Sequence, residues 1–477
     1  MKGILNKICL AVVSTIVPVS CNFLNVENVG KSDIESFFSE VPALEAANYG
    51  VYHTAYGVFD SYLFTYAEVV ADELVLNTES GADWVPYQDF TNKSSDETGA
   101  LGMVWKNAYN VINNINEMLY YGPGLRKTFP TQAATVDNVL AQAYFMRALM
   151  HLQLCLCYGQ NYTFTDNAGH MGVPVVDHIL SLTEKIARNP VYDVYSSIVS
   201  DLNTALDLFP AGADYSSAYF ANPLAAKALL ARVYLYSGNW AQAESYASQV
   251  MAARQLTPRD GYRNLFCTRT PANDESIFRF NGFQLGKSSY KMYYYAEPKA
   301  RPSERVKALL ADDADIRKGM LKYDDEYSDV VMKYTCTDVV SSEEDRYYNP
   351  VVLRVSEMYL IHAEACCERG GSGLDDAAKD LKALQARARG IKPEDVVLTW
   401  STKDNLLKLI EEERIRELCF EGHRLWDLTR RHKELVRTDD NTSIVRKITY
   451  PDYRFVMPIP AVELEANSNM VNNPNYD

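Results

Sequence analysis

The chain has 477 residues, of which 47% are hydrophobic, 12% aromatic and 23% charged, with a formal net charge of −15. That composition belongs to a globular protein and excludes a disordered one. The acidic balance excludes phosphate backbones and anionic lipid surfaces as partners, since both are held by clustered Lys and Arg, so no nucleic acid is expected.

The amino terminus reads MKGILNKICLAVVSTIVPVSC, with Lys2 and Lys7, an apolar run from Ile8 to Val19, Ser20 and then Cys21. A run that short does not cross a hydrocarbon core of about 30 Å, but it suits a secretory signal. Residues 1–20 are therefore expected to be removed. The small-residue-then-cysteine ending resembles a bacterial lipoprotein cleavage site, which makes Cys21 the expected lipidation site and the lipid the only membrane link. Pro18 stands where an aliphatic residue is usual, so cleavage without lipidation is the alternative.

Helical spacing begins at Val41–Tyr56 and returns at Leu101–Tyr121, where Trp105, Ala108, Tyr109, Ile112, Ile115 and Leu119 share one face. Asn113, Asn114 and Asn116 crowd the second segment and are expected to bond to neighbouring backbone. A third helix spans Val136–Cys157, rich in Ala and Leu, and ends before Gly159. The stretch 222–253 reads as a helix, a turn at Gly238 and Asn239, and a second helix carrying Ala243 and Ala247. That is the register of a tetratricopeptide repeat, in which small residues let two antiparallel helices approach, though any helical hairpin could share it. A further pair is expected over Val351–Arg389, broken at Gly370, Gly371 and Gly373. Ser401 with Asp404 then reads as a capping box opening a helix that stops at Gly422. The architecture expected is mainly α.

Loop-rich segments separate these helices at Tyr62–Phe90, Tyr158–Pro190 and Leu256–Tyr348, and long insertions on a helical frame commonly carry function. The Pro- and Asn-rich tail from Thr449 is expected to lie as an ordered loop over the helices.

Catalytic and metal signatures are weak. GFQLGKS at 282–288 places three residues between its glycines where a nucleotide cradle needs four. Asp72/Glu73 and the group Asp312, Asp313 and Asp315 lack calcium-loop spacing and read as solvated or capping acids. The seven histidines, from His53 to His432, are scattered. Cys155, Cys157, Cys267, Cys336, Cys366, Cys367 and Cys419 form no CxxC pairs, show no partner histidines at zinc spacing and read as small buried hydrophobes. No catalytic residue, cofactor or metal is expected. In EEERIREL, Glu412 and Arg416 pair at i,i+4, while Arg414 and Glu417 lie near apolar positions and suit a buried structural network. Ligand contact is sought instead among loop aromatics, because flat rings cover the apolar faces of sugars while nearby polar groups meet the hydroxyls. Trp84 and Tyr87, flanked by Asp83, Gln88 and Asp89, are one candidate group; Tyr290, Tyr293, Tyr294 and Tyr295 are the second.

Three segments, LRVSEMYLIHAEA, EEERIRELCFEGHRLWDLTRR and PIPAVELEANSNMVNNPNY, together resemble the SusD/RagB outer-membrane nutrient-binding lipoproteins of Bacteroidetes. AQAYFMRALMHLQLCLCYG and the following GVPVV at 172–176 fit the same pattern. The resemblance implies one domain over 21–477: tetratricopeptide-like helix pairs about 101–157, 222–253 and 351–431 in a superhelical scaffold, with ligand-side insertions about 60–95 and 256–348. It also implies a non-enzymatic protein that captures an oligosaccharide or polysaccharide at the outer membrane, facing the exterior, and delivers it to a TonB-dependent SusC-like barrel. Asn22 and Phe23 replace the acidic residue often found after the cysteine in surface-exported members, which leaves a periplasmic facing open. A peptide cargo, as in RagB-like uptake, and a tetratricopeptide scaffold that binds only protein are the alternatives.

Overall fold

Among the described residues, eight helices pack in sequence because apolar and small residues recur every three or four positions, and each buries its stripe against the next. The structure is a computed structural model that describes residues 34–476 apart from 78, 97–98, 268–273, 283–297, 325–327 and 335–348. These eight helices are α1 (Val41–Val58), α2 (Ala100–Thr128), α3 (Ala133–Tyr158), α4 (Val191–Leu208), α5 (Pro223–Tyr236), α6 (Trp240–Ala253), α7 (Val355–Arg369) and α8 (Gly373–Arg389). Each packs on its neighbour in this order, α1 on α2 through α7 on α8, so the chain advances as a helical array. Two further helices follow, α9 (Lys403–Leu418), as long as several of these, against α7, and the short α10 (Arg424–Arg430).

Local chemistry accounts for the turns. Asn222 caps α5 by accepting from the Ala225 N–H at 2.9 Å, and Pro223 starts that helix with its φ already fixed. Gly238 adopts φ +72° between α5 and α6, and the Asn239 side chain then caps α6. Ala243 and Ala247 are fully buried, which lets α6 lie close to α5 and α7. The expected 222–253 hairpin is therefore present, with Tyr234 and Tyr246 stacked across it at 5.8 Å.

Helix α3 is apolar enough and long enough to cross a membrane, but its most apolar stretch is 89% buried inside the protein. Arg147 at its centre pairs with Asp201 of α4 at 2.6 Å, an arrangement suited to a protein core. Among the described residues Cys155, Cys157, Cys366, Cys367 and Cys419 are unpaired and buried.

Several expectations are revised. Helix α4 was not expected, although Val191, Val194, Tyr195, Ile198, Leu202 and Ala205 share its buried face. Residues 351–354 are not helical: they form strand β6, which pairs antiparallel with β2 (Ser276–Arg279) beneath α7. The cap of α9 is Thr402, accepting from Asn405 N–H at 3.2 Å, not Ser401 with Asp404. That helix stops at Leu418, and Gly422 instead takes φ +79° in the turn before α10. The segment 62–90 is largely ordered into helix, with a π-helical turn at Phe59–Leu63, helices at Phe64–Val69 and Val85–Gln88, and strand β1 (Leu74–Leu76). Strand β1 pairs with β3 (Ala300–Pro302), and β4 (Leu321–Asp324) pairs with β5 (Ser328–Val331), so the 256–348 segment also contributes small sheets.

Candidate functional site

The β1–β3 pairing brings residues 298 and 299 against the turn that follows β1. Ser80 Oγ donates to the Pro298 carbonyl at 2.8 Å, and Lys299 pairs with Asp83. Gly81 is required here, because a Cβ would lie 2.6 Å from the Lys299 carbonyl oxygen. The turn continues through Ala82–Trp84 into Val85–Gln88, where Pro86 sits in the first helical turn.

Trp84 and Tyr87 meet at 5.4 Å with their rings tilted by 50°. Tyr87 also meets Tyr66 edge to face at 6.2 Å, and its hydroxyl donates to Asp96 while accepting from the Leu101 N–H at 3.3 Å. Burial, reinforced by the Asp96 carboxylate, holds the Tyr87 hydroxyl well above its ordinary pKa, so it stays a proton donor. Both rings are largely enclosed, Trp84 at 9% exposed and Tyr87 at 3%. Together they form one wall of a cleft of about 620 Å³, whose rim carries Asp83, Thr91, Asn92, Lys93 and Ser95. Thr91, Lys93 and Ser95 are exposed and Asn92 is half-buried, so donors and acceptors line the opening. An aromatic wall beside a polar rim can hold a ring with one apolar face and a hydroxylated edge. Tyr290, Tyr293, Tyr294 and Tyr295 lie outside the described residues, as does Cys21.

Behind the cleft, the region around 437–445 fixes its base. Arg437 donates to the Gln88 carbonyl at 2.8 Å, and Ser443 Oγ donates to Asp89 at 2.6 Å. Asp72 and Glu73, read from sequence as solvated or capping acids, are instead buried. Burial alone would raise the Asp72 carboxyl, but Arg424 at 2.7 Å and Arg305 at 2.9 Å hold it below its ordinary value. Glu73 is raised, by burial and by the adjacent Glu68 carboxylate. Glu68 in turn accepts from the Gly422 N–H at 2.6 Å, tying this layer to the turn before α10. Asp72 is fully engaged by arginines, whereas one oxygen each of Glu68 and Glu73 is buried without a hydrogen bond. Asp315 is a cap, accepting from the Arg317 N–H at 2.9 Å.

A second, larger groove of about 880 Å³ runs along α2, lined by Trp105, Tyr109, Asn113, Leu182, Glu463 and Met470 among others. Sequence reading placed Trp105 and Tyr109 on a core-facing stripe. Their rings do pack inward, but Trp105 Nε1 donates to Glu463 at 3.3 Å and Tyr109 Oη to the Pro174 carbonyl at 2.9 Å. The groove escapes sequence reading because its opposite wall is the carboxy-terminal tail. That tail docks as expected: Met457 N–H donates to the Cys157 carbonyl at 2.8 Å and Ala461 N–H to that of Ser94 at 2.8 Å. Asn116 differs from expectation, donating to the distant Val176 and His178 carbonyls and accepting from Arg147 at 2.8 Å.

Comparison with known proteins follows this geometry. The family described as SusD family matches residues 325–476, and that described as starch-binding associating with outer membrane matches residues 22–235. SusD-like protein P2 of Formosa agariphila is 26% identical over 96% of this chain and 97% of its own. A SusD superfamily protein from Bacteroides vulgatus superposes with a TM-score of 0.80 at 24% identity, covering 92% of this chain and 99% of that one. A laminarin binding SusD-like protein superposes with a TM-score of 0.70 at 20% identity, covering 91% of this chain and 99% of that one.

Proposed function

The chain belongs to the SusD/RagB family, and from that premise we propose that it captures an oligosaccharide at the outer membrane and delivers it to a TonB-dependent SusC-like barrel. The observation that carries this reading is the Trp84 cleft, an aromatic wall with a polar rim inside the stretch matching the starch-binding family. The small part of Trp84 left open in the cleft wall, 9% of the residue, meets the apolar face of a sugar. Tyr87 fixes the angle of Trp84 and closes the floor, while Asp83, Asn92, Lys93 and Ser95 meet hydroxyls. Tyr290, Tyr293 and Tyr294, which lie outside the described residues, are proposed as further ligand contacts.

Function here is binding and handover, with no bond broken and no cofactor. Asp72 is held by two arginines and so is not available as a general acid, and Glu73, though raised, is buried and does not line the cleft, which supports this reading. Lipid on Cys21 would keep the protein at the membrane, facing outward over the barrel, with 21–477 acting as one unit.

Electrophoresis of the chain from Asn22 onward through gels containing plant, host and microbial polysaccharides, including laminarin, tests capture; co-purification of the lipidated chain tests the barrel. Retardation by at least one glycan and recovery of a barrel are expected. Recovery of a barrel with no retardation, but with bound peptide, would replace the glycan cargo by peptide.

A further inference from the structure

Away from the cleft, helices α6, α7 and α8 converge on a group of side chains that no step of glycan capture uses. His362 and Cys366 stand one turn apart on α7 and so leave the same face of that helix. Glu244 reaches them from α6. One donor atom from each of the three lies within 4.8 Å of the other two. Cys366 Sγ is 3.6 Å from His362 Nε2. In a tetrahedral zinc site, bonds of about 2.3 Å to sulfur and about 2.0–2.1 Å to nitrogen put neighbouring donors about 3.5 Å apart. The thiol and Nε2 stand near that spacing, but Sγ also lies 3.8 Å from Nδ1, beside the ring, so the imidazole or the thiol must turn for both to reach one ion.

A second feature points the same way. His362 Nδ1 is 2.6 Å from Asp380 Oδ2 on α8, which holds the ring protonated in the absence of an ion and, once an ion displaces the second proton, would keep the remaining one on Nδ1 and leave Nε2 to coordinate. A carboxylate holding the far nitrogen is the usual support of a metal-binding histidine, fixing the ring and raising its basicity. Cys366 is a buried free thiol, whereas Glu244 and His362 are half-buried, which leaves one side open for entry of an ion and for a water ligand. Glu244 also accepts from Arg369 at 2.5 Å through Oε2, and its other oxygen remains to coordinate.

We propose that Glu244, His362 and Cys366 bind a zinc ion, with Asp380 as the outer carboxylate, and that the ion ties α6 to α7. Thiolate with imidazole selects zinc over calcium or magnesium, which prefer all-oxygen sets. Binding displaces two protons to solvent, that of the thiol and that on Nε2 of the imidazolium that Asp380 stabilises, and leaves Nδ1 protonated. This corrects the sequence reading, which found no histidine at zinc spacing and passed over His362 and Cys366 at i,i+4; Glu244 joins them from a different hairpin.

The test is titration of the chelator-stripped chain with zinc alone against a chromophoric competitor, paralleled by cobalt(II) as a spectroscopic stand-in. One equivalent of zinc and a thiolate-to-cobalt charge-transfer band are expected. Glu244→Gln, at a half-exposed position that leaves the core intact, should weaken zinc about tenfold or more, as should Asp380→Asn. Cys366→Ser should abolish the cobalt band, with circular dichroism checking its fold. Absence of stoichiometric zinc binding, or binding indifferent to Glu244→Gln and Cys366→Ser alike, overturns the proposal and leaves His362–Asp380 as an ion pair joining α7 to α8.

Discussion

Arg354 donates to Glu417 Oε1 at 2.7 Å with both side chains sealed from solvent. The same carboxylate group receives Arg387 at 2.7 Å and Arg317 at 2.9 Å, while Arg354 also grips Glu275 at 2.8 Å and Glu421 at 2.7 Å. One network therefore joins α9 to β2, β6, α8 and the turn before α10. Buried charges of this kind hold a geometry only while every partner is present. Burial opposes ionisation of Glu417, but Arg387, Arg354 and Arg317 hold its carboxyl well below the ordinary carboxylate range.

Glu417→Gln keeps the shape and removes the charge that three buried guanidinium groups share, leaving Arg354 with Glu275 and Glu421, Arg387 with Glu275, and Arg317 with Asp315 and Glu413. It is expected to destabilise the chain by about 3–5 kcal/mol. Urea unfolding followed by circular dichroism checks this, with a lower midpoint at unchanged slope as the expected result.

His151 sets a stability dependence on pH. Its Nε2 accepts from the Val176 N–H at 3.2 Å, and burial together with Arg147 lowers its pKa to about 3. The folded value lies below the unfolded value of about 6.5, so the folded state binds this proton less readily. Its contribution is complete above about pH 6.5 and is lost as pH falls toward 3, by up to about 1.4 kcal/mol per pH unit. His151→Gln should flatten the fall in urea midpoint between pH 7 and pH 5 relative to the parent chain; an unchanged slope would assign that fall to other groups.

Gly99 tests the build of the cleft. A Cβ there would stand 2.2 Å from Tyr87 Oη and 2.8 Å from Asp96 Oδ2. Gly99→Ala must push Tyr87 off Asp96, at a cost of about 1–3 kcal/mol. Because Tyr87 sets the angle of Trp84, the variant should also lose glycan affinity; thermal unfolding and gel retardation read the two effects separately.

Much of the helical frame is legible in the sequence because its signals are local. The Asn222 cap, the Gly238 turn and the buried Ala243 and Ala247 all lie within one hairpin. Buried roles for Arg414 and Glu417 are legible too, since their neighbours Ile410, Ile415 and Leu418 mark an apolar face. What escapes is set by distant partners. Val351–Arg354 reads as the start of a helix and becomes a strand because β2 supplies its hydrogen bonds from across the chain. Asp72 reads as solvated and is buried because Arg424 arrives from α10. At the cleft, Trp84 and Tyr87 are recognisable by type, but the Asp96 and Lys299 contacts that hold this turn require the fold.

Calorimetric titration of the chain from Asn22 onward with the glycan that retards it most, comparing the parent with Trp84→Phe, tests the capture site most directly. Phenylalanine preserves most of the buried packing but shortens the ring that faces the cleft. With aromatic contacts worth about 0.5–1.5 kcal/mol beyond area and tenfold per 1.4 kcal/mol, affinity should fall about tenfold while the unfolding temperature stays within a few degrees. Unchanged affinity in a folded Trp84→Phe chain would contradict capture at this cleft and move the search to the Trp105 groove.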